Sequence, residues 1–362
     1  MNDTIVAIAL SGGVDSLVSG FLIKKNFKNV FGIHFTTGYE KISLDIKTLE
    51  NQLGFPVHIV DLSRIFETQV VQYFILTYLK GKTPNPCVIC NQKIKFNALW
   101  EEARAMGANA IATGHYATII NSLSFPEKKI SKPFLAKGMD PLKDQSYFLS
   151  MLRPEQLEHI IFPLAGLTKS QVKNLAKENN LTPLTPSESQ DICFIHDKDF
   201  SKFIFQKKNL APKPGNIVDL HGKKIGTHQG LHTFTIGQRR GINCPASEPY
   251  YVRHKELSTN TLVVCFKKDL TQKQMQVEKI VWNYPLINKN CKTDGINGIK
   301  EAKESLGIIT KIRYSHKGAL SRLTFANNLC HVIFDEPQPA VTPGQTAVFY
   351  KDDQVLGAGI IK

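Results

Sequence analysis

Cysteine is scarce in this chain: seven in 362 residues, an odd number widely scattered, with a single Cys-x-x-Cys pair at Cys87 and Cys90. That scatter argues against a disulfide framework and for a reducing compartment, the cytoplasm, where paired thiols serve catalysis or metal binding. A second Cys-x-x-Cys, or a His pair at ligand spacing, is missing, which argues against a tetrahedral structural zinc site. No apolar run approaches the roughly 20 residues needed to span a bilayer. The opening stretch MNDTIVAIALSGG lacks a basic leader, and its apolar run breaks at Gly12 and Gly13, so it reads as a buried strand rather than a signal peptide. A soluble protein away from membranes is expected. Internal repeats and long low-complexity segments are also missing.

What is present is length and positive charge. At about 150 residues per domain the chain divides into two or three domains, enough to bury a core without disulfides. The net charge is +14, and it is unevenly placed. Residues 1–200 hold 21 Lys and Arg against 19 Asp and Glu, while residues 201–362 hold 24 against 12. A basic C-terminal half is the footprint of a polyanionic partner.

The first 115 residues alternate strand-like and helix-like segments. TIVAIAL, NVFGIHF, FPVHIV and AIAT read as buried strands, with helical patterns starting at Asp15 and near Ile42. This alternation implies an α/β domain with a mostly parallel sheet. After the paired thiols, Phe96, Leu99, Trp100, Ala103 and Met106 follow helical spacing. Thr168 and Gln171 form a capping box before Val172, Leu175 and Ala176. SLSFPEKKISKP reads as an exposed hairpin loop. Past residue 205 the chain is rich in Gly, Pro and Lys with short β-like runs, and from about 275 short alternating segments suggest an antiparallel barrel. The expected division is 1–204 for a catalytic nucleotide-binding domain, 205–273 for a small central β-rich domain and 274–362 for the barrel.

Ser11-Gly12-Gly13-Val14-Asp15-Ser16 follows the first strand and opens the first helix. Its glycines allow close approach of a ligand, and the helix start offers free N–H groups to phosphate. Ser11 and Ser16 add hydroxyls, and Asp15 is suited to accept from a ribose or hold Mg²⁺. The spacing is neither a Walker A loop nor GxGxxG. A tight turn with a capping residue is the plainer reading. The order strand–SGGVDS–helix resembles the PP-loop ATP pyrophosphatases, and this resemblance implies cleavage of ATP between its α and β phosphates to adenylate a carbonyl oxygen.

Six further stretches follow in order: TPNPCVICNQKIKF, ATGHYA, KDQSYFLS, SQDICFI, TIGQRRGI and KIRYSHKG. Together they resemble the tRNA-specific 2-thiouridylases, across essentially the whole chain to the C-terminal TPGQ. The resemblance implies replacement of the C2 oxygen of a wobble uridine by sulfur, with ATP and Mg²⁺. It implies as partners tRNA and a sulfur donor, either a cysteine desulfurase or a sulfur-relay protein, with the enzyme monomeric when free. The nucleotide site then comprises Ala9, Leu10, Ser11, Gly12, Gly13, Val14, Asp15, Ser16, Phe35 and Gly114. Contacts to tRNA fall on Asn85, Pro86, Cys87, His115, Lys143, Asp144, Gln145, Arg239, Arg240, Arg313, Tyr314 and Gln345. His115 also reads as a core histidine, and Arg239-Arg240 as a solvated turn.

A uracil oxygen becomes a good leaving group once it carries AMP, and a thiolate or persulfide is the strong sulfur nucleophile a protein can offer. Cys90 is expected to begin a helix after a proline-stiffened loop, where the dipole lowers its pKa. The resemblance implies that Cys193 carries the persulfide and that Cys90 closes a disulfide with it during release. One departure stands out: this chain has Cys87 where the form most associated with the family has Asp. Cys87, Cys90 and Cys193 would also suit three corners of an iron–sulfur cluster, and the residues leave both routes open, with the persulfide favoured. Two remoter readings are a small-molecule ligase of the same superfamily and a non-catalytic RNA-binding protein. The ligase would not require the thiols, and the binding protein leaves the phosphate loop without purpose.

Overall fold

The computed structural model describes residues 3–40, 43–121, 132–185, 191–197, 199–209, 211–283, 307–326 and 329–362. Its first segments alternate as the sequence implies: β1 (Ile5–Ala9), α1 (Val14–Asn26), β2 (Asn29–Thr36), α2 (Ile46–Leu53) and β3 (Val57–Asp61). The second helix begins at Ile46 because Asp45 caps it, accepting from the Thr48 N–H. Two short helices, α3 (Ser63–Phe66) and α4 (Gln72–Leu79), lead to α5 (Pro86–Cys90), a π-type stretch over Asn91–Ala98, and α6 (Leu99–Ala105). Then come β4 (Ala110–Ala112), the hairpin β5 (Ala117–Ile120) and β6 (Phe134–Lys137), α7 (Ser146–Leu149), α8 (Pro154–Leu157) and β7 (Ile160–Ile161). The helices α9 (Lys169–Glu178) and α10 (Phe200–Lys208) close this half.

The five strands β3-β2-β1-β4-β7 form one sheet, all neighbours parallel. Val6, Ala7 and Ile8 at its centre have no exposed surface, as expected of strands covered on both faces. One face packs against Leu17, Val18, Leu49 and Leu53, and the other against Phe66, Phe74, Leu99 and Ala103. The helical pattern after the thiols holds only in part. Phe96, Leu99 and Ala103 are buried, but Met106 is 42% exposed because the helix ends at Ala105. The expected capping box forms: Thr168 accepts from Gln171 N, and Thr168 N donates to the Gln171 side chain. The loop SLSFPEKKISKP lies almost wholly outside the described residues.

The central sheet has the order β10 (Tyr251–Glu256), β11 (Thr261–Cys265), β8 (Gly215–Val218), β9 (Lys224–His228), around Ile217, Val252, Leu262 and Val264. The remaining strands are β12 (Thr271–Trp282), β13 (Ile308–Lys311), β14 (Ala319–Ala326), β15 (Leu329–Pro339), β16 (Thr346–Lys351) and β17 (Gln354–Ile361). They form an antiparallel sheet that closes on itself, because β12 pairs with both β15 and β17. This is the expected barrel.

The barrel is fastened to the first half. The β5–β6 hairpin extends its sheet through Ala136 opposite Gln354, and Val348, Tyr350, Val355 and Ala358 enter the core of the parallel-sheet unit. Tyr147 OH donates to Thr346 O at 2.9 Å, and Asn283 Nδ2 donates to Ser150 O at 2.8 Å. The TPGQ stretch hooks the thiol loop directly. Thr83 N donates to Pro343 O, and Gln345 Nε2 donates to Thr83 O and Pro84 O. Gly344 is required there, since its φ is +92° and a Cβ would stand 2.7 Å from Thr83 O.

Candidate active site

The phosphate loop leaves the carboxyl end of β1, the edge where open parallel sheets bind ligands. Gly13 caps α1, and Ser16 Oγ donates to Gly13 O at 2.9 Å. Ser11 N and Ser11 Oγ each lie 3.3 Å from Ser16 Oγ. The Gly12 carbonyl accepts from Leu184 N at 2.9 Å and Thr185 N at 3.3 Å, so the segment before Cys193 steadies the loop. Phe35, half-buried near the end of β2, and Gly114, just past β4, border the same edge. A Cβ on Gly114 would lie 2.9 Å from the carbonyl carbon of Asp15 and 3.0 Å from Ser16 N, so only glycine lets these backbones touch.

Asp15 is already engaged. Lys169 Nζ sits 2.7 and 2.8 Å from its two oxygens, and Tyr116 OH donates to Oδ1 at 2.7 Å. The Lys169 side chain is only 10% exposed, so this is an ion pair shielded from screening. Lys169 was not anticipated, although it is the first residue of the helix whose capping box was recognised. The carboxylate keeps lone pairs to share with a cation, as Mg²⁺ uses one or two carboxylates beside substrate phosphates.

The thiols form the second centre. Asn85 caps α5, its Oδ1 accepting from Val88 N, and Pro86 fills the first helical position. Cys87 therefore occupies the first turn, and Cys90 lies in the next turn of a helix that runs on through Asn91 into the π-type stretch instead of beginning it. The expected low thiol pKa is also overturned. Burial pushes Cys90 up to about 12 and Cys87 up to about 11, and it raises Cys193. Cys87 and Cys193 still present surface to water, and Cys90 is partly covered. Crowding by protein around the sulfurs outweighs a helix dipole that falls off within the first turn.

Cys193 is held by its neighbours. Ile195 N donates to Ile192 O in a tight turn, and Phe194, 2% exposed, is enclosed by Tyr39, Phe66, Phe74 and Phe203 at 5.3–5.8 Å between ring centres. Burying such a ring contributes about 1.5–3 kcal/mol, enough to anchor the exposed residue beside it. Folding brings the three cysteines within electrostatic reach of one another and of Lys95. Among the described residues, however, no three His, Cys, Asp or Glu side chains converge to hold a metal ion.

One dipeptide joins the two centres. Gly114 backs onto Asp15, and His115 lies 3.5 Å by Nε2 from Lys95 Nζ. His115 is 9% exposed, and burial followed by the Lys95 charge keeps its pKa well below the usual histidine range. The neutral ring accepts from Lys95 at Nε2 and donates from Nδ1 to Thr113 Oγ1 at 2.7 Å.

The other expected contacts divide. Asp144 is consumed as a cap, accepting from Ser146 N and Ser146 Oγ, and Gln145 exchanges hydrogen bonds with the Tyr116 backbone. Lys143 precedes them in the same half-buried loop. Tyr314, 41% exposed, packs on Phe148 at 4.5 Å, and Arg313 Nη1 donates to Pro339 O. Arg239 and Arg240 are exposed beside the central sheet, and among the described residues no hydrogen bond or ion pair ties their side chains to the thiols. Sequence reasoning missed Lys95 as well as Lys169. Lys95 lies inside the quoted CNQKIKF stretch, but nothing in that string shows which way it points.

Comparisons with known proteins cover the whole chain. The family described as tRNA methyl transferase HUP domain matches residues 4–197, the tRNA methyl transferase PRC-barrel domain 202–266, and the aminomethyltransferase beta-barrel domain 272–361. The tRNA-specific 2-thiouridylase MnmA of Desulfosudis oleivorans is 42% identical over 365 residues, covering 100% of this chain and 96% of the relative. Similar proteins of the same description occur in Thermoanaerobacter sp. (39% identical, covering 99% of this chain and 97% of the relative) and Desulfotalea psychrophila (38%, covering 100% of both).

Proposed function

From the chain's membership in the tRNA-specific 2-thiouridylase family, a branch of the PP-loop ATP pyrophosphatases, we propose that it replaces the C2 oxygen of a tRNA wobble uridine with sulfur at the expense of ATP. The observation that carries this reading is the Gly114-His115 junction, which backs onto Asp15 of SGGVDS and, through His115, onto Lys95, whose charge reaches the three thiols. The matching family descriptions speak of methyl transfer. A methyl donor gives no use to a phosphate loop of this kind, whereas an oxygen that must be made to leave does.

The uracil O2 attacks the α-phosphorus of ATP, pyrophosphate departs with the electrons of the broken P–O bond, and the N3 proton passes to solvent. The α1 N–H groups with Ser11 and Ser16 hold phosphate oxygens. Mg²⁺ would be shared between the phosphates and Asp15, supplying positive charge as pyrophosphate leaves. Lys169, held on both Asp15 oxygens, fixes that carboxylate in place. Cys193, as thiolate, has taken the terminal sulfur of a donor persulfide, with the donor thiol leaving. The terminal sulfur of Cys193–S–S⁻ attacks C2, and AMP leaves with the C–O electron pair. Cys90 thiolate then attacks the Cys193 sulfur, breaking the S–S bond and leaving the thiocarbonyl on the base. The Cys90–Cys193 disulfide is reopened by an external dithiol that provides two electrons.

The division into a catalytic unit at 1–204, a central unit at 205–273 and a barrel at 274–362 belongs to this proposal. The latter two would grip tRNA through Arg239, Arg240, Arg313, Tyr314 and Gln345. The remaining tRNA contacts assigned by resemblance join the same grip, and the enzyme would act in the cytoplasm as a monomer when free. Among the described residues no helix is long and apolar enough to cross a membrane. The test is to incubate the protein with ATP, a persulfide donor and tRNA, measuring pyrophosphate release and 2-thiouridine by nucleoside mass spectrometry. Both should depend on tRNA. ATP turnover that ignores tRNA would point to a small-molecule ligase, and no turnover would leave RNA binding alone.

A further inference from the structure

Two lysines flank the site, and their charges have different fates. Lys169 is cancelled by Asp15. Lys95 has no carboxylate partner among the described residues, and its ammonium instead donates to the neutral Nε2 of His115 at 3.5 Å. Its charge therefore remains available to whatever lies around it.

Local geometry decides what that is. In an α-helix, five residues turn the chain through about 500°, which would leave position 95 about 140° around from Cys90. The chain here is π-type from Asn91 to Ala98, with a kink inside it at Phe96 (φ −106°, ψ 20°). In such a turn bonds close from i to i+5, and the wider turn brings a residue five positions on closer to the face of residue i than an α-helix does. The widened turn rotates Lys95 onto the Cys90 face, where its charge acts on Cys87, Cys90 and Cys193 alike. Among the described residues a carboxylate, Glu40, also acts on Cys193, and its oxygens are occupied by Thr37 and Gly38.

We propose that Lys95 is the positioning residue of sulfur transfer: the π-type turn aims its uncancelled ammonium at the anionic sulfurs of Cys193 and Cys90 and holds them for attack, while His115 fixes the ammonium in place. This rests on the thiolation reading above. Two measurements separate the claims: alkylation of Cys90 and Cys193 by iodoacetamide at fixed pH in tRNA-free protein, and steady-state 2-thiouridine formation. Lys95→Met should slow alkylation of both thiols about tenfold, as loss of a nearby opposite charge implies. It should lower kcat at least as much, with KM for tRNA within about twofold, and Lys95→Arg should restore most of both. Wild-type alkylation rates in Lys95→Met, or an effect confined to KM, would overturn the proposal. Should Lys95→Met not fold, Lys95→Gln gives the same readings. Lys95-dependent alkylation in a wild-type protein that never makes 2-thiouridine would support the charge role and strike the thiolation reading instead.

Discussion

At the phosphate loop the charges are paired in advance, Lys169 against both oxygens of Asp15, with Tyr116 donating to one of them. At the thiols, one dipeptide away, burial favours the uncharged form and a lone ammonium opposes it. The difference follows the chemistry each centre is proposed to perform. A loop that receives a polyphosphate needs positive groups preset and rigid, since reorganising them during reaction would cost rate. A sulfur that must persist between donor and substrate benefits from a protonated resting state, because exposed thiolates are open to oxidation and premature attack. The two centres are linked through Gly114-His115, but preorganised charge serves one and withheld charge the other.

The strongest way to break this comparison acts on the thiols. Cys90→Ser and Cys193→Ser should each abolish 2-thiouridine while pyrophosphate release continues, and Cys87→Ser should keep a substantial fraction of product. A dead Cys87→Ser variant, with stoichiometric iron in protein purified without oxygen, would exchange the persulfide for a cluster. Next in size, Asp15→Ala should lower tRNA-dependent pyrophosphate release by about 100-fold or more, the scale of losing one positioned charge. It also strands the nearly buried Lys169, so tRNA affinity, expected within about twofold of wild type, serves as the check on folding. Normal ATP turnover in that variant would remove the phosphate-loop assignment. The smallest effect belongs to the exposed pair. Arg239→Ala with Arg240→Ala should weaken tRNA binding modestly and flatten the dependence of log K on log salt by about two, one per phosphate contact. An unchanged slope would confine RNA recognition to the thiol side and the barrel.

Much of this protein was written in its one-dimensional string. The continuous apolar run TIVAIAL makes a buried parallel strand, and SGGVDS after it makes the expected tight glycine turn into a helix start. The capping box at Thr168 needs only residues three apart. Short alternating segments likewise announced the barrel. What the string did not hold were facts of direction and neighbourhood. Cys90 follows a proline loop in sequence, but the helix starts four residues earlier because Asn85 caps it, so the dipole benefit assigned to Cys90 does not arise. Nothing in the string shows where Lys95 points, and a π-type turn swings it toward the thiols. Lys169 becomes part of the phosphate site because α9 packs against α1 and carries it to Asp15 across 154 positions. Local patterns could be read because they depend on adjacent residues. The thiol pKa values, the partners of Asp15 and the clamp of TPGQ on the thiol loop were decided only when distant segments packed together, since burial and charge proximity are properties of the folded volume.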